Sequence, residues 1–537
     1  MDNQTNKTDL SLHLIFISLF TGLFCGVVIT LYNAVAAIAE EFSRSYYNFF
    51  FTHPAFIPLL FVALFLGAVI AGGIRKALPI ISGSGIPQIE GAARGVFHFK
   101  WFQSLIAMFA ASLLSVFLGL SAGCEGPSVF IGGSCGALTS NAFKRNAVIR
   151  RHLISGGACA GLAVAFNAPL AGIIHAFEDT HKRFSPELFI CSFACVCVAV
   201  IIRNTLRPLM GLSMTPILAS FSFDGADTSS LHFLLYAIPC SIVIAFAGVG
   251  FYYLIFALRK LISKYKFFKG VLGFSIAFLL AGAFGLVSSY AMGGGVHFIE
   301  ALGSGDIAGN FATPVIITVL IAVVVKFLAT VLNVSCGVPS GALVPILAIG
   351  AGMGFLISHL CELIGMDEGY RCTMIIICMA TFFSTVVRSP LTSVVLVLEL
   401  TWKFTFLLPL ICGVAVGYFI GILCRTQPLY DRLFDEMVAN ERREHPIQYF
   451  TVKIKVSGNL SAVDRQIRNI MWPNGAVVAL VERNGESFVP SGATELREDD
   501  ILTIKAKTYY KDDFIQSLQS NVGKVVIHLA DGIENKT

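Results

Sequence analysis

One carboxylate lies inside a glycine-rich break in an otherwise apolar stretch. Glu125 follows Gly123 and Cys124 and precedes Gly126 and Pro127, and the flanking residues are mostly Leu, Val, Ala, Phe and Gly. A carboxylate at membrane depth is costly, so it is normally paired, protonated or part of an ion path. The glycines and the proline break the helix and expose backbone N–H groups, which start an anion site. A proton acceptor beside an anion site suggests a chain that moves anions and protons.

Two further glycine-flanked breaks have the same character, at Gly83–Pro87 and Gly337–Pro345. Each predicts a half-helix whose N-terminus points inward, where unpaired N–H groups and the helix dipole hold an anion without a full positive charge. Such weak binding suits transport because the ion is also released. Ser84 adds a hydroxyl donor. Close helix packing is the alternative for any single break, but three breaks and a buried carboxylate together favour an anion site.

The composition is that of a polytopic membrane protein. The chain has 537 residues, of which 13% are charged and 46 are phenylalanine, and its mean hydropathy is +0.76. A soluble domain of this size needs more surface charge. Several apolar runs reach the roughly 20 residues that span hydrocarbon. The long runs are Leu14–Leu31, Phe56–Ile74, Leu105–Leu120, Phe233–Leu258, Val271–Tyr290 and Val315–Leu332.

Charge and cysteine patterns exclude other classes of protein. Basic clusters at Lys144–Arg151, His181–Arg183 and Arg259–Lys269 indicate cytosolic loops. They are scattered between apolar spans, so no nucleic-acid partner is predicted. The 14 cysteines have no metal-ligand spacing, so neither a metal nor another cofactor is expected. Ser84 is not part of a Gly-x-Ser-x-Gly motif and no His-Glu-x-x-His motif is present, so an intramembrane hydrolase centred on Ser84 is disfavoured and the chain is not expected to be an enzyme.

The membrane part contains a weak internal repeat. Pro169–Glu178 reads against Pro390–Glu399, and each segment follows a glycine-rich break, at Gly126–Phe130 and Gly341–Pro345 respectively. Paired interrupted segments in corresponding positions are the sequence sign of a transporter built from repeats, with the binding site between them. Chance similarity among Gly-, Ala- and Leu-rich helices is the alternative. Two matches in the same order in each half favour the repeat.

These motifs resemble those of the CLC family of chloride channels and proton-coupled chloride antiporters. The resemblance covers about residues 14–435 and implies an all-α polytopic membrane fold, with two inverted-topology halves of tilted, often broken helices. It also implies a homodimer in which each subunit has its own pore. The motifs, in family order, are Gly83–Pro87, Gly123–Val129, Asn167–Gly172, Gly341–Pro345 and Tyr430.

The resemblance also implies roles for individual residues. Ser84 and Tyr430 look like hydroxyl donors at a central chloride, and the backbone N–H groups of Ala342 and Leu343 look like its amide donors. Family members that select nitrate have proline at the Ser84 position, and fluoride exchangers have methionine there. The serine therefore favours chloride. Leu343 stands where phenylalanine is common, which is a departure from the family pattern near the gate.

Glu125 resembles the external gating glutamate, whose carboxylate competes with chloride and carries the proton when it leaves the pore. Backbone N–H groups at Gly126 and Ser128 would serve an outer chloride site. Cys124 replaces an arginine that is usual in the family. Because this removes a positive charge beside the gate, it puts the pH range of gating in question.

Proton coupling needs a second titratable group nearer the cytosol. Glu178 and Asp179 follow the Asn167–Gly172 motif, and Asp179 matches the internal proton acceptor of the resembling antiporters. We therefore expect chloride/proton antiport, with Glu178 beside Asp179 on the proton route. A passive voltage- or pH-gated chloride channel is the alternative, in which Asp179 is only a solvated helix end. Other buried charges, namely Lys326, Arg388 and Glu399, are expected to cap broken helices or to pair with one another.

The sequence predicts a domain boundary near residue 435, a linker over 436–446, a cytosolic α+β domain over 447–530 and a tail over 531–537. This small domain resembles the TrkA-C/RCK-C module, which implies dimerisation and sensing of an unknown small ligand. A simple dimer clamp is the alternative. The chain is expected in the cell (inner) membrane. Predicted strands are Tyr449–Val456, Ala476–Glu482, Ser487–Val489 and Ile501–Ala506, and predicted helices are Ser461–Trp472 and Asp513–Leu518.

Overall fold

The computed structural model describes residues 2–532 apart from 98, 146, 176, 179–184, 213–217, 219–220, 222–229, 266–270, 308–312, 445–447, 458–461, 471, 474 and 509–510. The first eighty per cent of the chain is helical, and strands occur only near its end in the described part. The helices are α1 (Asp2–Thr52), α2 (Ile57–Ala77), α3 (Ile86–Ala93), α4 (Trp101–Phe117), α5 (Glu125–Ala142), α6 (Ala147–Phe166), α7 (Pro169–His175), α8 (Pro186–Leu209), α9 (Leu231–Lys264), α10 (Val271–Val287), α11 (Val296–Ser304), α12 (Val315–Cys336), α13 (Leu343–Leu363), α14 (Arg371–Val387), α15 (Pro390–Thr401), α16 (Leu407–Leu423), α17 (Leu429–Glu444) and α18 (Lys511–Asn521).

Among the described residues, seven helices are long and apolar enough to cross a membrane. Shorter apolar helices, including α4, α15 and α16, lie between them. Apolar side chains such as Phe65, Leu66 and Ile70 are exposed along one face of α2, as a lipid-facing surface requires. The protein is a multi-pass membrane protein, as its composition predicts.

Four helices form a buried centre in two close pairs, α5 with α6 and α13 with α14. Small residues allow this approach: a Cβ atom placed on Gly132 would lie 2.1 Å from the carbonyl oxygen of Gly157, and one on Gly136 would lie 2.0 Å from that of Leu153. Where no water is available, such tight packing is a main source of association between helices. The two pairs hold the N-termini of α5 and α13 in the interior.

We expect Gly136→Ala to destabilise the protein, because the added methyl group overlaps the backbone of α6. Overpacking of this kind costs about 1–3 kcal/mol. Gly73→Ala is the matched control, since no heavy atom lies within 4 Å of its added Cβ. Thermal unfolding of both purified variants in the same detergent checks the prediction, and equal melting temperatures would contradict the packing assigned to α5 and α6.

The C-terminal part forms an antiparallel five-stranded sheet in the order β3-β2-β4-β1-β5. Side chains from the sheet and α18, among them Val452, Ile504, Phe514 and Leu518, form one buried cluster. Helix α17 begins in the membrane part and continues through the predicted linker to Glu444. The strands are β1 (Gln448–Val456), β2 (Ala476–Arg483), β3 (Glu486–Phe488), β4 (Ile501–Thr508) and β5 (Gly523–Gly532).

The helix predicted over Ser461–Trp472 is wrong. Ser461 lies outside the described residues, and the described remainder holds only a 3-10 turn at Ile467–Asn469. The backbone N–H groups of Ile467 and Arg468 donate to a neighbouring loop, at the carbonyls of Thr494 and Gly492. Tertiary backbone bonds therefore replace helical ones. The strand β5 was not predicted.

A buried ion pair fixes one end of this sheet. Arg483 donates to both carboxylate oxygens of Asp500, at 2.8 and 2.7 Å, and the Arg497 backbone N–H donates to the same group at 2.8 Å. Burial alone would raise the pKa of Asp500, but these hydrogen bonds outweigh it and lower the pKa below its ordinary value. The pair therefore stabilises the domain at neutral pH, and that contribution is lost as pH falls through the lowered pKa.

We expect Asp500→Asn to loosen the domain at pH 7, because Arg483 loses its charged partner. Removing a hydrogen bond to a charged group costs about 1.5–3 kcal/mol. Hydrogen exchange of peptides from β2 and β4 in the full-length protein measures the effect. Glu486→Gln, an exposed change on β3, is the control. A wild-type protein with no loss of protection on acidification below pH 4 would contradict the assigned role of Asp500.

Candidate functional site

The three breaks predicted from the sequence meet in space and are joined by backbone hydrogen bonds. The N–H of Gly83 donates to the carbonyl of Gly337 at 3.1 Å, and that of Ser340 donates back to Gly83 at 3.4 Å. Gly123 and Gly341 exchange two such bonds, of 2.9 and 2.7 Å, as an isolated antiparallel bridge. Helices α3, α5 and α13 all begin at this junction.

A fourth break, at Gly293–Gly295, was missed by the sequence analysis. Gly293 pairs with the residues just before the Gly123–Pro127 break. Its carbonyl accepts from the N–H of Ala122 at 3.1 Å, and its N–H donates to the carbonyl of Leu120 at 2.9 Å. Gly295, with φ 100°, precedes α11 as Gly85, with φ 91°, precedes α3. This left-handed backbone favours glycine. The run of three glycines after an apolar span was the available signal.

Glu125 is the first residue of α5, and its carboxylate lies where the N-termini of α5 and α13 meet. The side chain is buried, with 8% of the residue exposed, and Oε2 has no hydrogen-bond partner among the residues that the structure describes. Backbone N–H groups of Cys124, Glu125 itself and Val344 face the carboxylate. A Cβ atom on Gly123 would lie 2.2 Å from Oε2, so glycine leaves the space that the carboxylate occupies. The carboxylate thus occupies an anion position built from helix N-termini.

A cavity of about 530 Å³ lies near the anion position that the Glu125 carboxylate occupies. Its lining includes Ser84, Ala342 and Tyr430, three of the residues predicted to bind chloride. In the described part of the chain, the buried Ser84 hydroxyl has no hydrogen-bond partner, so it can donate to an ion. Leu343 is buried as the first residue of α13, and the first N–H groups of a helix have no partner within it. The structure therefore brings these four predicted residues together.

The two residues predicted for an outer site differ in their surroundings. A Cβ atom on Gly126 would lie 2.4 Å from the carbonyl oxygen of Ser84, so at this glycine the Gly123–Pro127 break contacts the Gly83–Pro87 break. The backbone N–H of Ser128 donates to the carbonyl of Cys124 at 2.9 Å inside α5, and its hydroxyl donates to Asn33 at 3.2 Å. The amide of Ser128 is thus already engaged in this structure.

Asp179 lies outside the described residues, but its neighbour Glu178 is well placed. The Glu178 carboxylate accepts hydrogen bonds from the N–H groups of Leu391, at 2.9 Å, and Thr392, at 2.7 Å, and from the Thr392 hydroxyl at 2.7 Å. It therefore caps the N-terminus of α15. Such a cap stabilises a helix by both hydrogen bonding and the helix dipole. Its predicted part in proton transfer stays a prediction.

Glu399 makes the reciprocal contact, as a cap of α7. Its two carboxylate oxygens accept from the N–H groups of Leu170 and Ala171, each at 2.8 Å. Each of the two segments aligned in the sequence thus ends in a glutamate that caps the start of the other. Lys326 and Arg388 also contact backbone carbonyls, at Ala291–Gly293 and Thr426 respectively. The expected capping role of these charged residues is confirmed for Glu399.

We expect Glu178→Gln and Glu399→Gln to lower the melting temperature to a similar extent, because each weakens one charged helix cap. Loss of a cap costs about 0.5–2 kcal/mol. Thermal unfolding of the two purified variants compares them directly. A large loss in one variant and none in the other would contradict the reciprocal arrangement. Any extra loss of proton transport in Glu178→Gln, relative to Glu399→Gln, measures its part in proton transfer.

Comparisons with known proteins show that the chain is similar to chloride channels and chloride/proton exchangers. The family model for the voltage gated chloride channel matches residues 66–421. An H(+)/Cl(−) exchange transporter, ClcA, of Vibrio cholerae is 28% identical over 447 residues, which cover 81% of this chain and 92% of that protein. ClcA of Salmonella agona is 31% identical over 396 residues, covering 72% and 80% respectively. A solved structure of a slow cyanobacterial Cl−/H+ antiporter superposes with a TM-score of 0.72 at 24% identity, covering 80% of this chain and 99% of that one.

Proposed function

Because this chain belongs to the voltage-gated chloride channel (CLC) family, we propose that it exchanges chloride for protons across the membrane. One observation carries the proposal. The carboxylate of Glu125 occupies an anion position at the N-termini of two helices, and it is the type of group that can carry a proton. The relatives described as H(+)/Cl(−) exchange transporters support the same function.

Chloride binds through partial charges on the cavity side of Glu125. The hydroxyls of Ser84 and Tyr430 and the backbone N–H groups of Ala342 and Leu343 replace water around the ion. The described lining of the cavity includes one cation, Arg259, whose guanidinium is already bonded to Glu436 at 2.8 Å and to the Val334 carbonyl at 3.0 Å. Binding without a dedicated positive charge stays weak enough for release on both sides.

Exchange follows from competition for one position. Ionised Glu125 fills the anion position and excludes chloride from it. Protonation removes the negative charge, so the side chain loses its electrostatic attraction to the helix N-termini and a chloride ion takes its place. When the side chain returns, it displaces the ion and releases its proton. Asp179 is the internal acceptor in this scheme, a role that comes from the family resemblance.

The assembly that we propose has two inverted-topology halves in each subunit. Support comes from matching features in the two halves: a left-handed glycine before α3 and α11, and the reciprocal caps of α7 and α15. We assign a homodimer with one pore per subunit, in the cell membrane, with the C-terminal domain in the cytosol. That domain acts as a dimerising, TrkA-C-like regulatory module. The protein is a transporter and not an enzyme.

A flux assay with the purified protein in liposomes tests the function. With potassium and valinomycin setting the voltage, a chloride gradient should drive protons uphill in the wild type, because each proton carried by Glu125 is exchanged for chloride. Glu125→Gln and Asp179→Val should each abolish proton movement, since neither amide nor alkyl groups accept a proton in this range. A pH electrode and a chloride electrode outside the vesicles record both fluxes.

Glu486→Gln, an exposed change on β3 away from the chloride site, is the control for a change of carboxylate to amide. Chloride flux with no coupled proton movement in the wild type would contradict exchange and support the passive channel. Coupled transport that survives in Asp179→Val would leave Glu125 as the gate but remove Asp179 from the route.

A further inference from the structure

A second cavity, of about 450 Å³, lies at the opposite end of the protein from the chloride cavity. Arg259, near the end of α9, lines the first cavity, and the chain then enters α10. The far end of α10 lines the second cavity through Gly285, after a helix of 17 residues or about 25 Å. The second cavity is also lined by Arg44, Tyr47, Tyr290, His297 and Asp306. Two of its lining residues, Tyr290 and His297, flank the Gly293–Gly295 break.

Two charged side chains lie between this cavity and the gate, both against the Gly293–Gly295 break. A Cβ atom on Gly293 would lie 2.3 Å from the Glu40 carboxyl carbon, and one on Gly295 would lie 3.0 Å from Nζ of Lys326. The break reaches the gate itself, because Gly294 lies against Gly123, whose own neighbour is the Glu125 carboxylate. The glycines leave space for both charges.

Lys326 is buried completely in the middle of α12, with 0% of the residue exposed. Its ammonium donates to three carbonyls, of Ala291, Met292 and Gly293, at the long distances of 3.5, 3.5 and 3.3 Å. Such weak contacts do not compensate the burial of a charge, which needs an anion nearby. The two carboxylates that act on it electrostatically are Glu40 and Glu125.

The residue beside the gate supplies no cation of its own, since position 124 is a cysteine. Among the described residues, four titratable groups interact electrostatically with Glu125 from the elements packed against it: Tyr32 and Glu40 of α1, Cys124, and Lys326 of α12. Lys326 is the cation among them. Glu40 in turn faces Arg44, one turn along α1 at the second cavity, and Glu300.

We propose that Lys326 and Glu40 are opposed positioning residues of the outer gate. Lys326 stabilises the negative charge at the gate, whether it is ionised Glu125 or the chloride that replaces it. Glu40 competes for the same ammonium and so weakens that stabilisation. Lys326 thus supplies the positive charge that position 124 lacks, and Glu40 sets how much of it acts on the gate. This inference rests on the proposed function, in which Glu125 is the gate.

Chloride flux as a function of outside pH tests the pair in the full-length protein in liposomes. Lys326→Met removes the cation, so Glu125 becomes protonated at higher pH, and the pH at which flux falls to half should rise by about one unit. Glu40→Gln releases the ammonium to Glu125, so that midpoint should fall by a similar amount. Lys326→Met should also raise the chloride concentration required for half-maximal flux.

Two matched variants separate charge from packing. Lys326→Arg keeps the charge and should keep the wild-type midpoint to within a few tenths of a unit. Glu41→Gln changes the adjacent glutamate, which is exposed on another face of α1, and should not move it. The double variant Glu40→Gln/Lys326→Met should have a midpoint below that of Lys326→Met, but by less than Glu40→Gln shifts the wild type, since Glu40 acts on Glu125 both directly and through the ammonium.

Shifts in opposite directions would support the pair, and they are not what a loss of folding produces. Midpoints unchanged in Glu40→Gln, or shifted in the same direction in both single variants, would overturn the inference while wild-type exchange stays intact. If Lys326→Met yields no folded protein, the pH midpoint of chloride flux in Glu40→Gln still tests the inference. A wild type that moves chloride without protons would instead overturn the proposed function, and with it the role of the pair at a proton-carrying gate.

Discussion

The whole arrangement depends on a short antiparallel contact between two broken segments, Gly123 and Gly341, in the interior of a membrane protein. Breaking a helix there exposes backbone N–H and C=O groups, and in hydrocarbon each unpaired group costs several kcal/mol. The exchange of two hydrogen bonds satisfies part of that demand. The pairing also fixes the relative positions of α5 and α13, because both begin within three residues of it. The N–H groups that remain unpaired are then available to an anion.

The same physical solution recurs at other helix starts. Glu178 and Glu399 are resident anions at the N-termini of α15 and α7, where every carboxylate oxygen has a donor. Glu125 sits at a similar position, but its Oε2 atom has no partner. A fully bonded carboxylate is held in place, whereas a partly bonded one can be exchanged for another anion. In the proposed mechanism, the difference between a structural cap and a gate is therefore one of completeness of hydrogen bonding.

Much of the site could be predicted from the sequence because its signals are local. A carboxylate between glycines in an apolar run marks Glu125, and glycine and proline together mark the breaks. The break at Gly293–Gly295 carries no proline and no polar residue, so it resembles ordinary helix packing. The reciprocal caps join residues more than 200 positions apart, and no local pattern encodes such a contact. The prediction of a helix over Ser461–Trp472 was wrong for the same reason, since its backbone N–H groups donate to a loop more than 20 residues along the chain.

Helix α17 has a further consequence for how this protein is controlled. Tyr430, the second residue of this 16-residue helix, lines the chloride cavity, and the helix ends at Glu444, shortly before the C-terminal sheet begins in the chain. Arg432 stacks on the aromatic rings of Tyr252 and Phe256, and Glu436 pairs with Arg259, so the helix is held along the side of α9. A continuous helix held in this way moves as one rigid body. Because one helix joins the cavity to the C-terminal domain, a rotation of that domain would be passed to Tyr430 without any change in the other residues that line the cavity.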